Sequence, residues 1–192
     1  LGAMFLDLYK EGNFALMNPP EAILLQNKSF MALVYALART EQFLTAEECA
    51  LVRRYLVPSY FEEDFAALMD GTYIRKEIWG REGKNVRLVE KQGDHAKTVH
   101  EKQPDNADEI ICRPSRAAMY QDFVRQPRFV HTVDSGTIEG CLTLSCFMLF
   151  DTPSAVGARF SPAEIAGTEA YFLPLVVGED SSYTDSFSTN VF

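Results

Sequence analysis

A glycine-containing basic turn between two strand-like segments, within residues 73–89, is the sequence feature that most constrains the fold of this chain. Polar and apolar residues alternate over residues 73–78, which is the two-residue period of a half-exposed strand. Apolar character returns at residues 86–89, directly after the turn. The pattern predicts a strand, a tight turn and a second strand.

The turn of this hairpin concentrates positive charge. Gly80 and Gly83 permit backbone conformations that other residues resist. The cations around them are Lys76, Arg81, Lys84 and Arg87. A polyphosphate bound under the turn would explain this charge, whereas a lysine-bearing surface hairpin is the default explanation.

Charge and composition restrict the class of protein. The formal net charge of -9 argues against nucleic acid as a partner, but it allows a local basic pocket. Hydrophobic residues make up 47% of the 192 residues, which suits one domain or two small ones.

No apolar run approaches the ~20 residues of a membrane span. The four cysteines lack CxxC spacing, so reduced buried thiols are expected rather than a zinc site. The N-terminus lacks a signal-peptide pattern and resembles a truncation edge, and a cytoplasmic protein is expected.

Helices are predicted in the first part of the chain and strands in the rest. The predicted helices are Leu6–Lys10, a helix that starts near Lys28 and buries Phe30, Leu33, Val34 and Leu37, a helix from the capping box at Thr45 to Tyr55, and Phe61–Met69. The predicted strands outside the hairpin are Phe14–Met17, Glu109–Cys112, Ala118–Val124, Thr137–Phe150 and a return strand at residues 155–160. Residues 90–108 are predicted to be a loop or an irregular extension of the hairpin. The helices are expected to cover a face of the sheet.

Lys28 occupies an unusual place, because a cation at the start of a helix faces the positive end of the helix dipole. A solvated surface lysine is one explanation. An anion bound at the same helix terminus is the other. The sequence leaves both open.

Several motifs follow one another along the chain. They are Asn27-Lys28 at a helix start, Ile74-Arg75-Lys76 with Gly80-Arg81-Glu82-Gly83 and Asn85-Val86, then Tyr120-Gln121, then Gly157-x-Arg159. Over Phe14–Val177 this series resembles the C-terminal part of the glutathionylspermidine synthase family, whose synthetase domain is an ATP-grasp fold. The resemblance implies an α+β, ATP-grasp-like fold with a mostly antiparallel sheet, covering helices and a glycine-containing lid hairpin. It also implies an incomplete domain, with residues 1–177 as the C-terminal portion of the synthetase domain and residues 178–192 as a polar tail.

The resemblance implies an ATP-dependent ligase that joins a carboxylate to an amine through an acyl-phosphate. A glutathione-like peptide and a polyamine are the substrates that the family suggests. The implied site residues are Lys28 and Lys76 at the nucleotide phosphates, Arg81 beside Gly80 at the transferred phosphoryl group, Gln121 at the adenine, and the backbone near Val124 at the hinge.

Magnesium is the implied metal, because phosphoryl transfer normally uses it to neutralise charge. Family members hold it with acidic and asparagine residues upstream of the matched region, so its ligands are expected outside this chain. The carboxylates Asp134, Glu139, Asp151 and Glu164 are expected to be surface or turn residues, and no metal site is predicted. Two other hypotheses stay open: a non-catalytic nucleotide-binding module that lacks the magnesium-binding half, and a structural domain whose basic hairpin contacts an acidic partner.

Overall fold

The computed structural model describes residues 2–81, 83–101, 117–133, 136–167 and 169–175. The chain divides into two compact units, Leu1–Arg125 and Gln126–Phe192. The predicted strand at Glu109–Cys112 and the predicted boundary between residues 177 and 178 lie outside the described residues. None of the described helices is both long and apolar enough to span a membrane.

The first unit combines helices with a five-stranded sheet. Its α-helices are α1 (Gly2–Lys10), α2 (Ser29–Thr40) and α3 (Ala46–Tyr55), and 3-10 helices cover Pro20–Gln26 and Glu62–Ala67. Its strands are β1 (Ser59–Phe61), β2 (Gly71–Glu77), β3 (Arg87–Gln92), β4 (His95–Glu101) and β5 (Ala118–Asp122). The order in the sheet is β1-β5-β2-β3-β4, with antiparallel neighbours. The predicted hairpin is confirmed as β2 and β3, and β2 lies in the middle of the sheet.

Aromatic packing holds one face of this sheet together. Tyr73 of β2 and Tyr120 of β5 are buried, and the Phe65 ring stacks on Tyr120 with centroids 3.8 Å apart. Helix α2 contacts β1 and β5, and its Tyr35 meets the edge of Tyr60 at 5.8 Å. The prediction that helices cover a sheet face is therefore confirmed for α2.

Helix α3 begins at the predicted capping box. The Thr45 hydroxyl oxygen accepts a hydrogen bond from the Glu48 backbone N–H at 3.2 Å, and the Glu48 carboxylate accepts from the Thr45 N–H at 2.7 Å. The helix then buries Cys49 and Val52 against Ala38 of α2. The predicted bounds of this helix are confirmed.

Removing this cap should destabilise the first unit modestly. We expect Thr45→Ala to lower the free energy of unfolding by about 1 kcal/mol, because the Glu48 N–H loses its acceptor. Urea denaturation measures the change. Thr45→Ser keeps the hydroxyl and should behave like the wild type, and equal destabilisation by both substitutions would contradict the capping explanation.

The second unit is a four-stranded sheet of β6 (Arg128–Val133), β7 (Gly136–Leu149), β8 (Thr152–Ser161) and β9 (Tyr171–Leu173), in that order. The predicted long hairpin is confirmed as β7 and β8, which pair in antiparallel register. Phe160 and Cys141 are buried in this unit. Gly140 is required there, because a Cβ at this position would overlap the Ser161 carbonyl oxygen.

Two predictions of secondary structure are wrong. Phe14–Met17 forms no strand but an irregular segment that ends at Asn18, whose φ is 63°, and no described strand pairs with it. Phe61–Met69 forms no α-helix: Phe61 ends β1, and a 3-10 helix follows at Glu62–Ala67. The segment 90–108 was predicted to be a loop or an irregular hairpin extension, and its described part forms the end of β3 and strand β4, which extends the hairpin with a register shift between Leu88 and Val89. Residues 102–108 lie outside the described residues.

The predicted buried face of α2 is also partly wrong. Phe30 and Leu33 are each 43% exposed, while the buried residues are Ala32 and Ala38. Val34 does pack, since it lies against the cluster that contains Ala38. Leu37 is half-buried, so the part of the predicted face that fails is the pair Phe30 and Leu33.

Candidate functional site

The site is built on the turn that joins β2 to β3. Three backbone hydrogen bonds shape it: Gly80 N–H to Glu77 O at 3.0 Å, Lys84 N–H to Arg81 O at 2.9 Å, and Val86 N–H to Gly83 O at 3.2 Å. Gly83 has a φ of 71°, the left-handed region that favours glycine. Asn85 has a φ of 55°, which asparagine tolerates better than most residues. The chain therefore folds back on itself at this turn.

The start of α2 is attached to the same turn. The Lys28 backbone N–H donates to Ile78 O at 2.8 Å, and the Lys28 ammonium donates to the carbonyl oxygen of Gly80. At the helix terminus, the Ser29 N–H donates to the Asn27 side-chain oxygen at 2.9 Å. Lys28 is thus held at the hairpin turn, whereas a solvated lysine would point into water.

A cavity of about 110 Å³ lies under the turn. Its lining residues are Lys28, Lys76, Glu77, Gly80, Arg81, Gly83, Lys84 and Val86. Pockets for drug-sized ligands typically measure ~300–1,000 Å³. The size of this cavity therefore suits a phosphoryl group, and a whole nucleotide would extend beyond it.

Lys76 of β2 lines this cavity, and a hydrogen bond to the neighbouring strand holds its ammonium. Its ammonium donates to the Gln121 side-chain oxygen at 2.6 Å. Gln121 lies on the neighbouring strand β5 and is only 8% exposed. Burial lowers the pKa of Lys76, and the nearby charge of Lys28 lowers it further.

The pKa of Lys28 is lowered by similar causes. Burial lowers its pKa most, and the charge of Arg81 adds to the effect, whereas Glu77 opposes it. The Glu77 carboxylate also accepts a hydrogen bond from the Asn85 amide at 3.1 Å. Like charges therefore act on both lysines, and an anion in the cavity would stabilise their charged forms.

Four of the predicted site residues therefore converge: Lys28, Lys76, Gly80 and Arg81 line one cavity. Gln121 joins them through Lys76. The Arg81 guanidinium, on an exposed side chain, donates to the Gln26 side-chain oxygen.

Val124 does not line this cavity; it follows the end of β5 and is 58% exposed. The phosphate, phosphoryl, adenine and hinge roles of these residues stay predictions.

Sequence reasoning missed some parts of the site. Gln26, which holds Arg81, and Ser59, which contacts Gln121, were not singled out. No local pattern marks either residue, because both contacts join segments that are distant in the chain. Glu77 gave a signal, since a carboxylate directly after Lys76 stands beside the basic turn.

The described residues do not fit a magnesium ion. Within this part of the chain, no group of three or more His, Cys, Asp or Glu side chains is placed to hold a metal. Glu139 pairs with Arg128 at 3.1 Å, Asp151 lies in the turn between β7 and β8, and Glu164 is exposed. Asp134 lies outside the described residues. Four of the eight residues that line the cavity are cationic and one is a carboxylate, a set of charges that disfavours a metal ion.

Comparison with known protein families shows which family the chain belongs to. The family model of the glutathionylspermidine synthase preATP-grasp domain matches residues 1–178, while no curated protein matches the chain significantly. The predicted family is confirmed, but the matched domain is the preATP-grasp domain, whereas the sequence predicted the C-terminal ATP-grasp region. The chain belongs to the glutathionylspermidine synthase preATP-grasp family.

Proposed function

We propose that this chain is part of an ATP-dependent carboxylate–amine ligase, in which the hairpin of the first unit closes over the phosphates of ATP. One observation carries the proposal: four cationic side chains line a single small cavity under a glycine-containing turn, and they are Lys28, Lys76, Arg81 and Lys84. Membership of a synthase family supports the reaction class. The antiparallel sheets are compatible with the ATP-grasp-like fold that the sequence motifs suggest.

The electrostatics of the cavity support an anionic ligand. Burial and neighbouring like charges lower the pKa values of both lysines, so their charged forms are disfavoured in the absence of an anion. A phosphate oxygen would accept charge-assisted hydrogen bonds from these ammonium groups, each contributing about 1.5–3 kcal/mol. Folding has already brought the cations together, so a bound anion would relieve their mutual repulsion.

Within this proposal the side chains divide the work. Lys28 and Lys76 hold the nucleotide phosphates, and the Arg81 guanidinium meets the transferred phosphoryl group. Gly80 suits the tight turn, because a Cβ at this position would lie only 3.3 Å from Glu77 O, and its carbonyl oxygen accepts from the Lys28 ammonium. The acyl-phosphate formed from the carboxylate is then attacked by the amine. A glutathione-like peptide and a polyamine are the proposed substrates, and the backbone near Val124 would contact the adenine side.

A second function keeps the phosphate pocket without catalysis. It is a nucleotide-binding module that lacks the magnesium-binding half, and no group of carboxylates among the described residues is placed to hold a metal. The two functions share the same cavity and differ in turnover, so an assay of both binding and product formation separates them.

The test uses the full-length natural protein with ATP and magnesium. Calorimetry measures ATP affinity, and ADP formation is followed with glutathione and spermidine present and with either one omitted. ADP formation that requires both substrates supports the ligase. ATP binding without ADP formation supports the non-catalytic module. No ATP binding would contradict both and leave the hairpin as a contact for an acidic partner.

A further inference from the structure

A buried chain of hydrogen bonds stands behind Lys76. The Ser59 hydroxyl donates to Val57 O at 2.9 Å and accepts from the Gln121 side-chain N–H at 3.0 Å. The Gln121 side-chain oxygen then accepts from the Lys76 ammonium at 2.6 Å. Ser59 is 2% exposed, and this part of the site is closed to water.

The sheet register brings these residues together. Ser59 of β1 lies directly opposite Gln121 of β5, and Gln121 lies opposite Ile74 of β2. Because side chains alternate along a strand, Ile74 and Lys76 project from the same face of β2. The lysine is therefore the diagonal neighbour of Gln121, within reach of a long side chain.

The hydrogen bonds run in one direction only. A hydroxyl has a single proton, and Ser59 gives it to Val57 O, so its oxygen is left to accept. The amide N–H of Gln121 must therefore face Ser59, and its carbonyl oxygen faces Lys76. If the Gln121 amide were flipped, its N–H groups would face the Lys76 ammonium, which is also a donor. Its carbonyl oxygen would face the Ser59 oxygen, whose proton is already donated to Val57 O. The arrangement thus presents a fixed acceptor to Lys76.

We propose that Ser59 and Gln121 are positioning residues that orient the ammonium of Lys76 towards the phosphate cavity. The inference deepens the proposed function and rests on it for the nature of the ligand. An ammonium has three N–H donors, and fixing one on Gln121 leaves two for oxygens of a ligand in the cavity. A lysine side chain carries about 2 kcal/mol of rotamer entropy, so anchoring it before the ligand arrives lowers the cost of binding. This role of Gln121 differs from the adenine contact that the family resemblance implies.

The first experiment measures the affinity for inorganic tripolyphosphate by calorimetry. Ser59→Ala should weaken binding about tenfold, because the Gln121 amide loses the contact that fixes its orientation. Ser161→Ala is the matched control: it makes the same change at a serine that is 3% exposed in the second unit, and it should leave the affinity unchanged.

A double-mutant cycle then separates positioning from a general structural effect. If Ser59 acts through Lys76, Ser59→Ala should change tripolyphosphate affinity less than twofold in a Lys76→Met background. The same tenfold loss in both backgrounds would overturn the proposal, because it would show an effect that bypasses Lys76.

A second readout needs no ligand. Titration of the Lys76 amine by NMR on lysine-labelled protein should show a lower pKa in Ser59→Ala, since a loosened acceptor stabilises the ammonium less. Gln121→Glu, which keeps an acceptor and adds a negative charge, should raise it. A wild type that fails to bind tripolyphosphate would refute the phosphate function while this titration still tests the hydrogen-bond chain. An unchanged Lys76 titration in both variants would overturn the positioning role, and if Ser59→Ala does not fold, Gln121→Glu alone decides.

Discussion

Replacing Lys76 by methionine should weaken ATP binding about a hundredfold. Methionine keeps the unbranched shape of the side chain, so the change removes the charge with little loss of volume. A hundredfold loss corresponds to about 2.8 kcal/mol, which lies within the ~1.5–3 kcal/mol of one charge-assisted hydrogen bond. Lys76 is expected to give this large effect because it is half-buried, lines the cavity and is held in place by Gln121. Calorimetry on the full-length protein measures the change.

Lys97→Met is the matched control. Lys97 is an exposed lysine on β4, so the same chemical change there should leave ATP affinity within twofold of the wild type. Equal losses at Lys76 and Lys97 would point to nonspecific attraction by the total charge. Unchanged affinity in Lys76→Met would refute the placement of the phosphates under the hairpin.

The stability of the same variant should depend on pH differently from that of the wild type. The folded-state pKa of Lys76 is lowered below its ordinary value of 10.5, so the charged form costs the folded protein free energy. As pH rises from the folded-state pKa towards 10.5, the unfolded chain holds the extra proton, and the wild type gains stability. Lys76→Met removes this pH dependence, but it also leaves the buried Gln121 oxygen without its donor, which costs about 1–3 kcal/mol. We therefore expect Lys76→Met to lack the wild-type gain in stability over this pH range, and urea denaturation at several pH values measures it.

The parts of the fold that the sequence predicts well are those with local causes. The capping box at Thr45 acts within one helical turn, and the alternation in β2 reflects its own two faces. The strand predicted at Phe14–Met17 fails because a strand needs a partner, and a short apolar run does not say whether one exists. The prediction of which face of α2 is buried fails for a related reason. The sequence shows a helical period, but the contacts of Tyr35 and Ala38 with other elements determine which face is buried.

The candidate site divides in the same way. The residues of the hairpin turn are adjacent in sequence, so their clustering is predictable. Lys28 reaches them across 52 residues, through its bonds to Gly80 and Ile78, and only the folded chain shows that contact. Gln121 lies 45 residues beyond Lys76, and the pairing of β2 with β5 makes them neighbours. Motif order suggested that these residues belong together, but the register of the sheet determines which atoms meet.

Replacing Arg81 by alanine should affect turnover more than ATP affinity. We expect the rate of ADP formation by the full-length enzyme, with both substrates and magnesium, to fall about a hundredfold, the range found when one transition-state donor is removed. ATP affinity should fall less than about tenfold. The structure gives the reason for this asymmetry: without a ligand, the exposed Arg81 side chain is held by the Gln26 side chain at the rim of the cavity, whereas the half-buried Lys76 is held at its wall by Gln121.

Two controls sharpen this prediction. Arg54→Ala removes an exposed arginine on α3 and should change neither quantity. Gln26→Ala removes the side chain that accepts a hydrogen bond from Arg81. The rate of ADP formation should stay unchanged or rise, because the guanidinium no longer has to break that hydrogen bond before it contacts the phosphoryl group. A rate that falls in Gln26→Ala as far as in Arg81→Ala would show that the pair acts as one structural unit.

The ratio of the two effects decides the role of Arg81. An interaction made only in the transition state lowers turnover and leaves ground-state binding nearly intact, whereas an interaction present in both states lowers affinity by the same factor as the overall rate. Equal losses in Arg81→Ala would therefore make Arg81 a third ground-state phosphate contact, equivalent to Lys28 and Lys76. The hairpin would then be a binding clamp, and the charge that stabilises phosphoryl transfer would have to come from a residue other than these three.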